Sequence, residues 1–376
     1  MASRPIVAAY YFPNWHVDPR NEALHGRNWT EWRVTQYATP RFPGHAQPKV
    51  PLWGYEDEAD PAVMAKKIKT AATYGMDAFI FDWYYFFDGS YRERCLREGF
   101  LGAENRHDID FALMWANHLP IYAHPGSYWK PGEPLWSSDY KPETFIACTN
   151  HCIEHYFAQP NYLRINGGLY FSIYAVRELV KNLGGLDVAK VLFRDFRHRV
   201  EQAGLGRLTL DGRVGSLADW HDFAAANQLA QELGLDTCSN YNWVHKSGAF
   251  PAMEYAEWFD YNRQEPEIIS RNMGIPYNPA LSVGWDSSPR TVQSDMYDKQ
   301  HFPFTAVVTN NTPALFEEAL RSTAAAAYTG SMVLIGSWNE WTEGSYLEPD
   351  EEFGYGRLEA IQRVFGPRRR DRRPSA

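Results

Sequence analysis

The sequence predicts an α/β protein, a single (β/α)8 TIM barrel with long β-α loops, on three observations. Short apolar runs alternate with capped, amphipathic helical stretches roughly eight times along the 376 residues. The runs have mostly parallel-sheet character, which suits strands that are covered on both faces. No Gly-x-Gly-x-x-Gly segment follows the first run, which weighs against a dinucleotide-binding sheet. The length also fits one large barrel, so the core is not limited by size.

The elements follow in order. "IVAAYY" (6–11) reads as the first strand, and a Pro-rich and Trp-rich segment follows it to about residue 60. "DPAVMAKKIKTAATYG" reads as a helix with Asp60 as N-cap, Pro61 in the first turn and Gly75 at its end. Strands are then expected at "MDAFIFDWYYF" (76–86) and "DFALMWAN" (110–117), followed by a helix from about 142 to 157. "LYFSIY" (169–174), a helix from about 186 to 203 and "RLTLDGR" (207–213) continue the alternation. The helix "FAAANQLAQELG", the strand "DTCSNYNW", a helical stretch from about 252 to 273 and the strand "PALSVGWD" (279–286) come next. The capped helix "TPALFEEALRSTAAAAYTG" leads into the last strand, "SMVLIGSWNEW". The barrel is thus expected over 1–366, with the long first loop (about 12–60) folded over its mouth as a lid or wall. The polar, basic tail 367–376 is expected to be disordered.

Composition narrows the ligand. Aromatic residues make up 15% of the chain, with 14 Trp and 23 Tyr, an excess that suits stacking on flat ligands such as sugar rings or bases. A net charge of −9 argues against nucleic acid, which needs a basic face to replace counterions. No run of about 18 apolar residues occurs, so membrane insertion is not expected, and a cytoplasmic protein is the default. Four cysteines are too sparse for a disulfide scaffold. In "CTNHCIEH", Cys148, Cys152 and His155 share a helix face and His151 lies beside them, but the spacing matches no standard zinc module. Two buried cysteines and two partly exposed histidines are expected there, with no metal or cofactor.

In such barrels chemistry sits at the C-terminal ends of the strands. Polar and aromatic residues gather at those ends: Tyr10 and Tyr11 leading to Trp15 and His16, Asp82 with Trp83, Trp115 with Asn117, Tyr241 with Trp243, Trp285 with Asp286, and Trp338, Asn339 and Glu340. Trp32 and Trp53 add rings from the first loop, His118 follows the third strand, and Arg290 can pair with Asp286 or take an acidic sugar substituent. A mouth so lined suits an oligo- or polysaccharide, with rings for sugar faces and carboxylates or amides for hydroxyls.

Glu340 and Glu343 carry the expected chemistry. Cleaving a glycosidic bond needs a proton donor at the leaving oxygen and an electron-rich partner near the anomeric carbon. Trp338 and Trp341 are placed to desolvate one acid and raise its pKa, and Asn339 to orient the other. Glu348, Asp350, Glu351 and Glu352 are expected to form a solvated face.

Four ordered motifs carry a resemblance: "AYYFPNWHVDPRN…GRNWTEWRVTQYATPRFPGHAQPKVPLWGYED", "FIFDWYYFFDG", "LSVGWDSSPR" and "SWNEWTEGSYLEPDEEFGYGRLEA". From about 6 to 365 the chain resembles the WbsX-type proteins, relatives of glycoside hydrolase family 99. The resemblance implies a metal-independent barrel that cleaves α-linked mannose- or rhamnose-type bacterial glycans with retention. It maps two catalytic glutamates onto Glu340, which assists attack by the sugar's own 2-hydroxyl to give a 1,2-anhydro intermediate, and Glu343, the acid/base. The chain departs from those hydrolases at Thr342, where histidine is common, and in the long first loop of the WbsX branch. Two alternatives remain. One is a glycosyltransferase of O-antigen or capsule assembly, against which stands the lack of a phosphate-binding glycine loop or acidic metal motif. The other is a non-catalytic carbohydrate-binding barrel.

Overall fold

The computed structural model describes residues 4–135, 140–213, 222–243, 249–326 and 328–367. Apart from Pro367, the basic tail lies outside them. Six barrel strands come first in the chain: β1 (Ile6–Tyr11), β2 (Ala78–Phe86), β3 (Asp110–Trp115), β4 (Gly168–Ile173), β5 (Leu208–Gly212) and β6 (Thr237–Ser239). The seventh, β7, comes in two pieces, Tyr277–Asn278 and Ala280–Ser282, and β8 is Met332–Gly336. All neighbours pair in parallel, from β6 back through β1 to β8. Typical registers are Ile6 opposite Met332 and Trp83 opposite Trp115.

Closure of the ring falls to β7. Its first piece pairs with β6 and its second with β8, so one interrupted strand bonds both ends of the sheet. Pro279 sits between the pieces, where it has no N–H to lose, and its carbonyl accepts from Leu334 N at 2.9 Å. Counting the two pieces as one gives the eight parallel strands that the sequence predicts.

The helices start where their caps put them. Asp60 accepts from Ala62 N ahead of Pro61–Thr73, and Thr312 accepts from Leu315 N ahead of Pro313–Ala325. The stretch from 252 to 273 is not one helical run: it is a short strand, Ala252–Glu254, followed by helices Tyr255–Asn262 and Glu265–Asn272. The strand pairs with Val307–Thr309 beyond β7, a long-range contact that local periodicity does not encode. The first loop is built into the body of the barrel. It carries two short helices, Pro19–His25 and Trp32–Gln36, and stacks Trp15 on Trp32 with ring centroids 4.0 Å apart.

Cys148 and Cys152 are buried on the helix Pro142–His155, while the His151 ring bonds Glu93 at 2.6 Å. Among the described residues no group of three or more His, Cys, Asp or Glu is placed to hold a metal ion. Among them, too, no helix is long and apolar enough to cross a membrane.

Candidate active site

At the C-terminal mouth of the barrel lies a cavity of about 430 Å³. Of the residues singled out from sequence, Asp82, His118, Tyr241, Trp285, Arg290, Glu340 and Glu343 line it. Phe12, Tyr84, Arg92, His124 and Tyr174 complete much of the wall.

The segment after β8 delivers the two glutamates by a series of backbone restraints. Trp338 N donates to the Tyr10 carbonyl at 2.7 Å, which carries the chain on beside β1. Asn339 and Glu340 then pair antiparallel with Tyr346 and Ser345. Between them a 3₁₀ turn, Trp341–Glu343, closes at Gly344 with φ 61°. A side chain there would be strained, and its Cβ would stand 2.7 Å from that of Asp286. The glycine therefore lets the turn press against the strand-end loop of β7, and Asp286 N donates to the Glu343 carbonyl at 2.5 Å.

Arg290 organises the acids. Its Nη2 lies 3.2 Å from both Glu31 Oε1 and Glu340 Oε2, its Nη1 donates to Glu343, and its Nε donates to Thr342 Oγ1 at 2.9 Å. Tyr241 OH is within hydrogen-bonding reach of Asp82 Oδ2 at 2.7 Å and Glu340 Oε1 at 3.2 Å. Burial, and then the neighbouring charge of Glu343, push the Glu340 carboxyl well above the usual range despite Arg290. Burial also raises Glu343, with Arg290 opposing and Glu31 adding to the rise. Asp82 is raised well above its ordinary value by burial, which the Tyr241 hydroxyl only partly offsets. Glu31 goes the other way: burial alone would raise it, but His124 and Arg290 hold it well below the usual range. The three acids that line the cavity are thus raised, while Glu31, buried behind them on Arg290, is held ionised.

The remaining residues named from sequence stand behind this wall or beside it. Tyr11, Trp15, Trp32 and Trp338 are packed in the core, where Trp15 Nε1 donates to the Asn339 carbonyl and Trp32 Nε1 to that of Glu56. Trp83 packs on His151, and Trp115 Nε1 donates to the Tyr85 carbonyl. Asn117 exchanges two bonds with the backbone of Ala175, and Trp243 stacks on Phe259. Trp53 Nε1 donates to Tyr355 OH. His16 is fully buried and, among the described residues, neither ring nitrogen has a partner; burial and the nearby Arg94 lower its pKa to about 3. Asp286 does not line the cavity; it accepts from Gln47 Nε2 at 2.6 Å, with His45 at 2.8 Å. Trp341 stacks on Tyr346 with centroids 3.7 Å apart.

Two acids expected to face water are buried instead. Glu348 accepts from the indoles of Trp338 and Trp341 and pairs with Lys67, and Asp350 pairs with Arg357. Glu351 and Glu352 are exposed. Sequence reasoning also passed over Glu31, although a signal was present. Glu31 ends a Trp-Thr-Glu tripeptide, 29–31, and Glu343 ends the same tripeptide, 341–343. Both meet on Arg290.

The profile of a family described as Glycosyltransferase WbsX matches residues 7–361. The chain is 25% identical over 368 residues to the uncharacterized protein WxcX of Xanthomonas campestris pv. campestris. That alignment covers 96% of this chain and 49% of the relative, so the chain spans about half the length of the curated relatives it matches. Among solved structures, a GH99 endo-alpha-mannosidase from Bacteroides thetaiotaomicron is 14% identical, with a TM-score of 0.57 and 96% of each chain covered. A glycoside hydrolase-like protein is 15% identical, with a TM-score of 0.61 and 97% of this chain and 94% of the other covered. At such identities the likeness is one of fold. The family match takes in every barrel strand but the first residue of β1, together with Arg290, Glu340 and Glu343, and by that match the chain belongs to the Glycosyltransferase WbsX family.

Proposed function

We propose that this chain is a glycoside hydrolase that cleaves an α-linked bacterial glycan of mannose or rhamnose type with retention. One observation carries the reading: Glu340, buried, and Glu343, partly buried, are bridged by Arg290 and face one cavity beside Asp82 and Tyr241. The likeness in fold to a GH99 endo-alpha-mannosidase supports it. In the first step Glu340 takes the proton of the sugar's 2-hydroxyl as that oxygen attacks the anomeric carbon. Glu343 gives its proton to the leaving oxygen, and the glycosidic bond breaks. In the second step Glu343, now a carboxylate, takes a proton from the water that opens the 1,2-anhydro ring at the anomeric carbon, and Glu340 returns its proton to O2. Two inversions at that carbon make net retention.

Arg290 donates to both acids, and the two are close enough to titrate as a pair. Burial raises both carboxyls above their ordinary value, and Arg290 opposes the rise at each.

The test is a screen of α-mannosides, α-rhamnosides and bacterial α-glycans for new reducing ends, with Glu343→Gln as control. Loss of the general acid should cost about 10²–10⁴-fold in rate. The family's own description favours a second reading, glycosyl transfer from an activated donor. Nucleotide released from an added sugar donor, and abolished by Glu343→Gln, would establish transfer and overturn hydrolysis.

A further inference from the structure

The cavity has a second guanidinium, and its surroundings contrast with those of Arg290. Arg92 lines the cavity and is only 8% exposed. Phe12, Tyr84 and Tyr91 surround it, with ring centroids 4.9, 4.8 and 4.6 Å from its Cζ. Among the described residues no carboxylate lies within ion-pairing distance of it, and its Nε has no hydrogen-bond partner. The Tyr91 phenol beside it, which donates to Asn21, is a neutral group. Arg290, on the same wall, pairs with three carboxylates.

Holding Arg92 in this position is costly. A buried charge without a counter-ion is unfavourable, and three aromatic faces offset only part of that. The backbone is strained as well, since Arg92 has φ 59°, a conformation that side chains with a Cβ seldom adopt. Its N–H is tied to Asp18 Oδ2 at 3.1 Å, which holds the strained residue in place. Asp82 and Glu31 act on the cation only through space, without direct contact. Balancing the charge of the cavity would not require a rigid, ring-lined fork turned to the cavity. Receiving an anion would, because planar guanidinium donors match the oxygens of carboxylate and phosphate.

We propose that Arg92 makes this cavity a site for an acidic glycan, with its guanidinium receiving a carboxylate or phosphate group borne by the sugar. The inference rests on the carbohydrate reading above and adds the substrate's charge to it. The other guanidinium of the cavity, Arg290, is already engaged by three carboxylates, which leaves Arg92 to orient the anionic group.

The experiment compares binding of D-mannuronate, mannose 6-phosphate and D-mannose to the wild-type protein by ligand-observed NMR. At least one acid should bind about tenfold tighter than mannose, the scale of a charge-assisted hydrogen bond. Whichever acid leads identifies the anion as carboxylate or phosphate. Arg92→Gln should abolish the preference, and Arg92→Lys, which keeps the charge but loses the fork, should weaken it. Equal binding of all three sugars by the wild type overturns the proposal without recourse to any variant. So does a preference that Arg92→Gln and Arg92→Lys leave unchanged. The preference with no glycan turnover would count against hydrolysis alone, whereas turnover of neutral glycans with no preference would remove this inference alone.

Discussion

Asn339 clips the last strand of the barrel to the first: its Oδ1 accepts from Phe12 N at 2.8 Å and its Nδ2 donates to the Phe12 carbonyl at 2.9 Å. The same Nδ2 lies 3.0 Å from Glu58 Oε1. The residue beside a candidate catalytic acid therefore ties the segment after β8 to the segment after β1, and the position of Glu340 depends on a side chain that does not line the cavity.

Asn339→Ala removes these bonds and leaves the Phe12 amide without its partner. The expected loss is about 3 kcal/mol of unfolding free energy, on roughly 1 kcal/mol per bond and more for an orphaned group. Urea denaturation measures it. A loss below about 0.5 kcal/mol, the range of ordinary surface changes, would show the clip to be dispensable.

Glu348→Ala is expected to be worse. Glu348 accepts from Trp338 Nε1 at 2.9 Å and Trp341 Nε1 at 2.7 Å, and Lys67, itself buried, divides its charge between Glu348 and Glu58. Breaking one partner of a buried ion pair typically costs about 3–5 kcal/mol. Thermal melting of the variant checks this directly, since a solvated acid in the same loop would leave the midpoint unchanged.

Glu348 also marks the limit of what the sequence disclosed. Strands such as β1 and β8 were legible because burial on both faces leaves an unbroken apolar run, and helix starts were legible because a cap is a local event. The partners of Glu348 lie 7 and 10 residues upstream and on a helix near the other end of the chain, so nothing in its immediate neighbourhood distinguishes it from exposed Glu352. The tryptophans misled for a related reason. The ring that stacks on a sugar also fills a core, and only packing separates Trp285 on the cavity wall from Trp338 beneath it. β7 was expected as one run, 279–286, whereas it pairs as Tyr277–Asn278 and Ala280–Ser282, and the barrel uses the break at Pro279 to pass from one neighbour to the other.

Glu31→Gln should lower the pKa of both candidate catalytic acids. Glu31 is held ionised by His124 and Arg290, and its negative charge raises Glu340 and Glu343 alike. Removing that charge also leaves Arg290 to those two acids alone. Carboxyl titration followed by ¹³C NMR should show both resonances moving at lower pH than in the wild type, and the alkaline limb of any pH–rate profile should shift with them. Unmoved resonances would mean that Glu31 serves only to hold Thr342 and Asn14.

The last prediction concerns stability rather than turnover. Glu265 is buried beside β6 and β7, where its Oε1 accepts from Asn240 at 2.8 Å and Tyr277 at 2.7 Å, while among the described residues Oε2 has no partner. Burial, opposed by those two bonds, raises its pKa from 4.5 to about 7. The folded chain therefore binds this proton more tightly than the unfolded chain does. The resulting stabilisation is complete below the unfolded value of 4.5 and is lost as pH rises through about 7. The loss is about 3 kcal/mol, at roughly 1.4 kcal/mol per pH unit across that window. Glu265→Gln stays neutral throughout and keeps an oxygen for Asn240 and Tyr277. Its unfolding free energy relative to wild type should therefore rise between pH 5 and pH 8 by up to about 3 kcal/mol, with other titrating groups cancelling in the difference. Urea titrations at the two pH values decide it: the same difference at both would mean that Glu265 is already ionised in the fold at pH 5.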